Sequence, residues 1–153
     1  MRRLLIVALF FAFAATMEAG RHCIFRVHVG ANANDTDTFA QPVHSRTGRD
    51  VFIEKTPWIN ERDVKAFYPY RAGDGSYAAL LLLDDHGRTI LDTMSVERRG
   101  SLLFVFVNGR PLTELQVDRR VSDGKIYLAS GLTEADIKLM NKDWKLLGRQ
   151  KKK

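Results

Sequence analysis

Hydrophobic and polar positions along this chain recur with two different periods, and the switches between them outline its elements. Residues 23–29 (CIFRVHV) alternate with period two, as a half-buried strand does. Cys23, Phe25, Val27 and Val29 form the apolar side, while Arg26 and His28 fall on the side expected to face solvent. Residues 31–48 are rich in Asn, Asp, Thr and Ser and predict a loop, pinned by Phe39 and Val43. A second alternating strand is expected over 50–55. Pro57 ends its register. Asn60, with Asp63 three residues on, predicts the start of a helix carrying Val64, Phe67 and Tyr68 and stopped by Pro69.

From Tyr77 the pattern sharpens. Tyr77–Leu83 (YAALLLL) is a continuous apolar run of strand length, expected at the centre of a sheet. Asp84 or Asp85 caps a helix with Ile90, Leu91 and Met94 at helical spacing, and Gly100 lies past its end. Leu102–Val107 (LLFVFV) is another apolar strand. Asn108-Gly109 behind it is a strong hairpin signal, because both central residues of a type I′ turn need positive φ. The partner strand is expected over 112–117. After the Ser122-Asp123-Gly124 turn, a short strand follows over 125–129, broken by Gly131. Thr133 and Asp136 make a capping box for a last helix, with Ile137, Met140, Trp144 and Leu147 as its apolar stripe.

The two ends of the chain carry a different message. Arg2-Arg3 precede an apolar run from Leu4 to Ala15, too short for a comfortable membrane span and fitting a signal-peptide core. Cleavage is expected after Ala14 or Ala19; the alternative is an uncleaved anchor. The expected organisation is a signal at 1–19, one α+β domain at 20–148 and a basic tail at 149–153. The formal net charge of +6 belongs mostly to the ends: residues 20–148 hold 18 basic and 17 acidic side chains. No basic stripe interleaved with aromatics marks a nucleic-acid surface. The tail suits weak contact with anionic lipid. Cys23 is the single cysteine, which excludes an internal disulfide and reads best as a small core residue.

Candidate chemistry is sparse. The four histidines are scattered and do not form a zinc ligand set. Asp35-Thr36-Asp37 can offer oxygens to a hard cation, but without the glycine and distal glutamate of an EF-hand. Asp84-Asp85-His86 sits where a strand enters a helix, and an acidic cap explains it without catalysis. No nucleophile elbow is present. The expectation is a non-enzymatic chain with no cofactor and no catalytic or metal-binding residue. The alternative is a small ion-binding protein or hydrolase using Asp35 and Asp37 or Asp84–His86. Trp58, Phe67, Tyr68 and Tyr70 cluster near two prolines and offer either core cover or a peptide-binding ledge.

An ordered set of motifs resembles the head part of the periplasmic domain of the SecD subunit (SecDF family). It comprises Gly87 early in a helix after a strand, Gly100 before LLFVFV, Asn108-Gly109 at the hairpin, Gly124 before Ile126, and Ser130-Gly131-Leu132-Thr133 opening the last helix. The match spans roughly 50–147, introduced by residues 59–64, and departs from the family at Thr113-Glu114-Leu115. The resemblance implies an α+β fold: a mixed, mostly antiparallel sheet with helices packed on one face. It implies an exported module of the periplasm or cell envelope that binds a protein or extended polypeptide. The expected contact surface is an exposed sheet edge at Leu112, Leu115 and Val117, with Trp58 and Tyr68 as a ledge.

Overall fold

A computed structural model describes residues 21–148 apart from 33, 36 and 37. The expected signal segment and basic tail lie outside the described residues. The strands are β1 (Phe25–Val29), β2 (Ala40–His44), β3 (Asp50–Glu54), β4 (Ile59–Asn60), β5 (Val64–Arg71), β6 (Tyr77–Leu83), β7 (Leu102–Val107), β8 (Arg110–Gln116), β9 (Lys125–Leu132) and β10 (Lys145–Leu146). Two helices, α1 (Asp85–Glu97) and α2 (Glu134–Asp143), interrupt them. The fold is α+β and mostly antiparallel; β10 with β5 is the one parallel pair among the described residues.

Instead of one sheet there are two of four strands, ordered β4-β1-β7-β8 and β10-β5-β6-β9, plus the β2–β3 hairpin. One core joins the inner faces of both sheets to both helices. Phe25, Val27 and Val105 enter it from the first sheet, Phe67, Leu81 and Leu128 from the second, and Met94 and Met140 from the helices. The alternation read in β1 holds, and Cys23 is buried as expected. Leu80 and Leu82 of β6 are only half-buried, because among the described residues no element covers the second face of that sheet as the continuous apolar run had suggested.

Several local readings are corrected. The expected loop over 31–48 contains β2, which pairs with β3 from Ala40↔Glu54 to His44↔Asp50. Phe39 pins nothing and is 71% exposed. The hairpin covers the outer face of the first sheet, with Ile53 fully buried and bridged to Gly30. His28 is therefore buried rather than solvated: its Nδ1 donates to the Glu54 carbonyl at 2.7 Å and its ring meets Phe106 edge-on.

The helix expected after Asn60 is a single 3-10 turn, Glu61–Asp63, with its capping box intact. The chain then runs as β5. Phe67 points to the core while Tyr68 and Tyr70 are exposed, a period-two pattern. Pro69 does not stop it. β10 pairs with β5 only at Ala66 and Phe67, so Pro69 occupies an edge stretch where a missing amide is tolerated.

The last helix ends a turn early. Trp144 is its C-cap, and Leu147 donates its amide to the Phe67 carbonyl beyond β10. β9 runs through Gly131 to Leu132 with a bulge, where Gly131 takes φ +88°. The Asn108-Gly109 turn has the expected positive φ at both residues, 51° and 80°.

Candidate functional site

β8 and β9 are the outermost strands of different sheets, and they meet at one end only. There, Arg110 donates to the Gly131 carbonyl at 3.1 Å, and a Cβ on Gly131 would lie 3.2 Å from Leu112 Cδ1. Asp136 pins this junction, accepting from Asn108 Nδ2 at 2.7 Å and from Arg110. Further along, the two edges part. Between residues 115–117 of β8 and its exit and residues 125–127 of β9 lies a cleft of about 220 Å³. Val27, Leu91, Met94 and Leu103 form its apolar floor.

Both walls present unpaired backbone. Val117 N–H donates to the Ser101 carbonyl, on the β7 side. By antiparallel alternation, the amides and carbonyls of Glu114 and Gln116 therefore point away from β7. On β9, Gly124 accepts from the Leu83 amide, so Tyr127 turns its amide and carbonyl away from β6. Lys125 N–H is taken by Asp123 at 3.2 Å. No strand pairs with either edge among the described residues. The mouth carries Arg119, without a partner among the described residues, while the next residue, Arg120, is bound outside it to Asp92 at 2.5 and 2.7 Å.

The residues singled out in the sequence separate into three places. Leu115 and Val117 line the cleft, and Leu112 is buried at the closed end. Trp58 is tied down beside the hairpin, its Nε1 donating to Glu54 Oε2 at 2.7 Å with Arg98 over its ring. Tyr68 stands on the outer face of the second sheet, so Trp58 and Tyr68 do not form one ledge. The β9 wall and the core residues flooring the cleft had no distinguishing mark in the sequence, since Leu91 and Met94 read simply as helix core.

The acidic candidates act locally. Asp35 accepts from the Asn32 amide at 3.0 Å, and Asp37 lies outside the described residues. Asp84 caps α1 through the Gly87 amide. His86 Nδ1 donates at 2.8 Å to the buried Asp63, whose other oxygen accepts from the Asn60 amide. Ligand atoms of Asp63, Asp84 and His86 all lie within 4.8 Å of one another, but both carboxylates already hold backbone amides. At the opposite end of β1, Cys23 donates its amide to Asp143, which also accepts from His22. Burial, and then the carboxylates of Asp136, Asp143 and Glu61, push the Cys23 thiol up to about 12. At neutral pH it is a thiol, not a nucleophile.

Among the described residues, no helix is long and apolar enough to cross a membrane. No protein-family model matches the chain, and no curated protein matches it in sequence. Solved structures do match in fold. One is described as the structure and function of a membrane component SecDF that enhances protein export, with a TM-score of 0.56 and 13% identity over 82% of this chain. Another is SecDF in a super-membrane-facing form, with a TM-score of 0.55 and 12% identity, again over 82% of this chain. The chain spans 64% of the first and 19% of the second. The fold is thus SecD-like, as the motif order implied.

Proposed function

We propose that this chain is a binding module of the cell envelope that takes up an extended polypeptide in the cleft between β8 and β9. The observation that carries the reading is the pair of unpaired strand edges standing over one apolar floor. An added strand gains main-chain hydrogen bonds from either edge, and alternate side chains reach a pocket. An apolar cavity of about 150 Å³ holds a benzene ring, so this cleft has room for one large apolar side chain of the guest. Similarity to a component that enhances protein export supports a client in transit across the membrane, still unfolded and rich in exposed apolar side chains.

The test is fluorescence anisotropy with a labelled, permanently unfolded polypeptide, such as a reduced and carboxymethylated secretory chain. Gln116→Pro removes one outward amide while leaving the β7 ladder bonds in place. We expect it to weaken binding by about tenfold, the equivalent of roughly 1.4 kcal/mol. Tyr127→Pro examines the other wall. Binding that neither variant alters would sink the proposal.

A further inference from the structure

Among the described residues no other element packs on the second face of the β10-β5-β6-β9 sheet, where the larger side chains shield Ala66 and Ala78, and its composition is one-sided. Cross-strand register arranges it in rows. Lys145, Ala66, Leu82 and Lys125 form the first, Tyr68, Leu80 and Tyr127 the second, and Tyr70 with Ala78 the third. Tyr68 and Tyr127 are 52% and 58% exposed, and the Tyr68 and Tyr70 rings stack at 6.4 Å. Aliphatic side chains therefore hold the middle, tyrosines flank them, and a lysine stands at each end of the first row.

None of the residues in these four strands is Asp or Glu, whereas they include Lys65, Arg71, Lys125 and Lys145. Arg71 is occupied over the Tyr77 ring and Lys125 is 3.6 Å from Asp123. Lys145 has no partner among the described residues. The sequence that follows Gly148 is RQKKK, which tethers four more cations within a few residues of β10.

We propose that this sheet face docks on an anionic lipid surface. Tyrosine suits such a boundary, with an apolar ring for the acyl side and a hydroxyl for the headgroups. Lysines at the rim reach lipid phosphates along flexible stems, and each contributes about 1 kcal/mol near an anionic surface, or roughly fivefold in partitioning. Charge selects this occupant over a second copy of the chain. A two-fold contact through the same patch would set lysine-bearing faces against each other, with Asp123 at the rim as the carboxylate already engaged by Lys125. Docking here shares only Lys125 and Tyr127 with the β8–β9 cleft, and the variants that test it lie elsewhere, so the inference stands or falls separately from peptide binding.

The experiment is co-sedimentation of the full chain with vesicles of phosphatidylcholine alone and of equal phosphatidylcholine and phosphatidylglycerol. The readout is the ratio of partition coefficients between the two. This ratio separates the face from the apolar residues 4–15, which contribute to both vesicle types. We expect a preference for the anionic vesicles that weakens toward about 0.15 M salt. Lys145→Gln should reduce that preference by about fivefold. Tyr68→Ser with Tyr70→Ser should reduce partitioning on the order of tenfold with the unfolding temperature unchanged. The proposal is overturned if no preference exists. It is equally overturned if these variants leave the preference intact while deletion of 149–153 removes it, or if the tyrosine changes dissolve a dimer without affecting lipid binding.

Discussion

Asp136 shows how one side chain closes the junction between the two sheets. Its carboxylate is nearly fully buried, yet it accepts from the Thr133 amide at 2.7 Å, the Thr133 hydroxyl at 2.8 Å, Asn108 Nδ2 and Arg110. Burial pushes this carboxyl up, but the Thr133 amide, Asn108, the Thr133 hydroxyl and the Arg110 charge outweigh it and hold it below the usual range. The unfolded group titrates near about 3.9, so between that value and the lower native one the unfolded chain binds more protons. The stabilisation is fully present above the unfolded value and is lost as pH falls through the native one. Asp136→Asn should cost about 2–3 kcal/mol at pH 7, and urea titrations near pH 3 should show the gap from wild type narrowing. A gap constant with pH would refute the assignment. Sequence spacing revealed half of this site. Thr133 and Asp136 are a local pair, three residues apart, whereas Asn108 and Arg110 arrive from a hairpin turn whose position relative to α2 only tertiary packing decides.

At the scale of elements, legibility followed the strength of local period. β6, α1, β7, the Asn108-Gly109 turn and the α2 cap each carry a self-sufficient signal, and each stands where it was expected. The β2–β3 hairpin and β5 do not. β2 (AQPVH) has a proline and few apolar residues, because it borrows burial from the sheet beneath it. β5 opens on a real capping box that nucleates one turn and no more, since a non-local partner, β6, outbids the helix from Val64↔Leu83 onward. The hairpin has its own weak point in His28. Burial, opposed by the bond to the Glu54 carbonyl, lowers its pKa from the ordinary value, and the imidazole stays neutral at pH 7. A depressed histidine contributes stability above the unfolded value, near about 6.5, which is lost as pH falls through the native one. Protection of the Ala31 amide, bonded to the Phe52 carbonyl at 2.9 Å, should therefore fall between pH 7 and pH 5.5 once intrinsic exchange is corrected. In His28→Gln that dependence should vanish. Equal acid sensitivity in the variant would place the cause elsewhere.

For the molecule as a whole, the question is whether two sheets and a surface hairpin behave as one cooperative unit. The shared core argues that they do, because side chains from both sheets and both helices form a single buried cluster rather than two. That union was the least legible feature in the sequence. Nothing in the strand patterns says which strands share a sheet, nor that the edges of β8 and β9 touch at Gly131 and part toward Gln116 to leave a cleft. The two tryptophans sit well placed to test it. Trp144 joins α2 to both sheets, ringed edge-on by Phe25 at 6.4 Å and Phe67 at 6.1 Å, with its Nε1 donating to the Glu61 carbonyl at 3.2 Å. Trp58 reports on the hairpin side through Glu54 and Arg98. In single-tryptophan variants, Trp58→Phe and Trp144→Phe, the fluorescence transition in urea should coincide with the far-ultraviolet dichroism of the same variant, as two-state unfolding requires. Trp144→Phe keeps the ring but deletes the hydrogen bond, so its midpoint should drop by about 1 kcal/mol equivalent without separating the two signals. A Trp58 transition completed at lower urea than the dichroism would mean that the hairpin layer opens on its own. The cleft would then be walled by sheets whose outer cover is a separate, weaker unit.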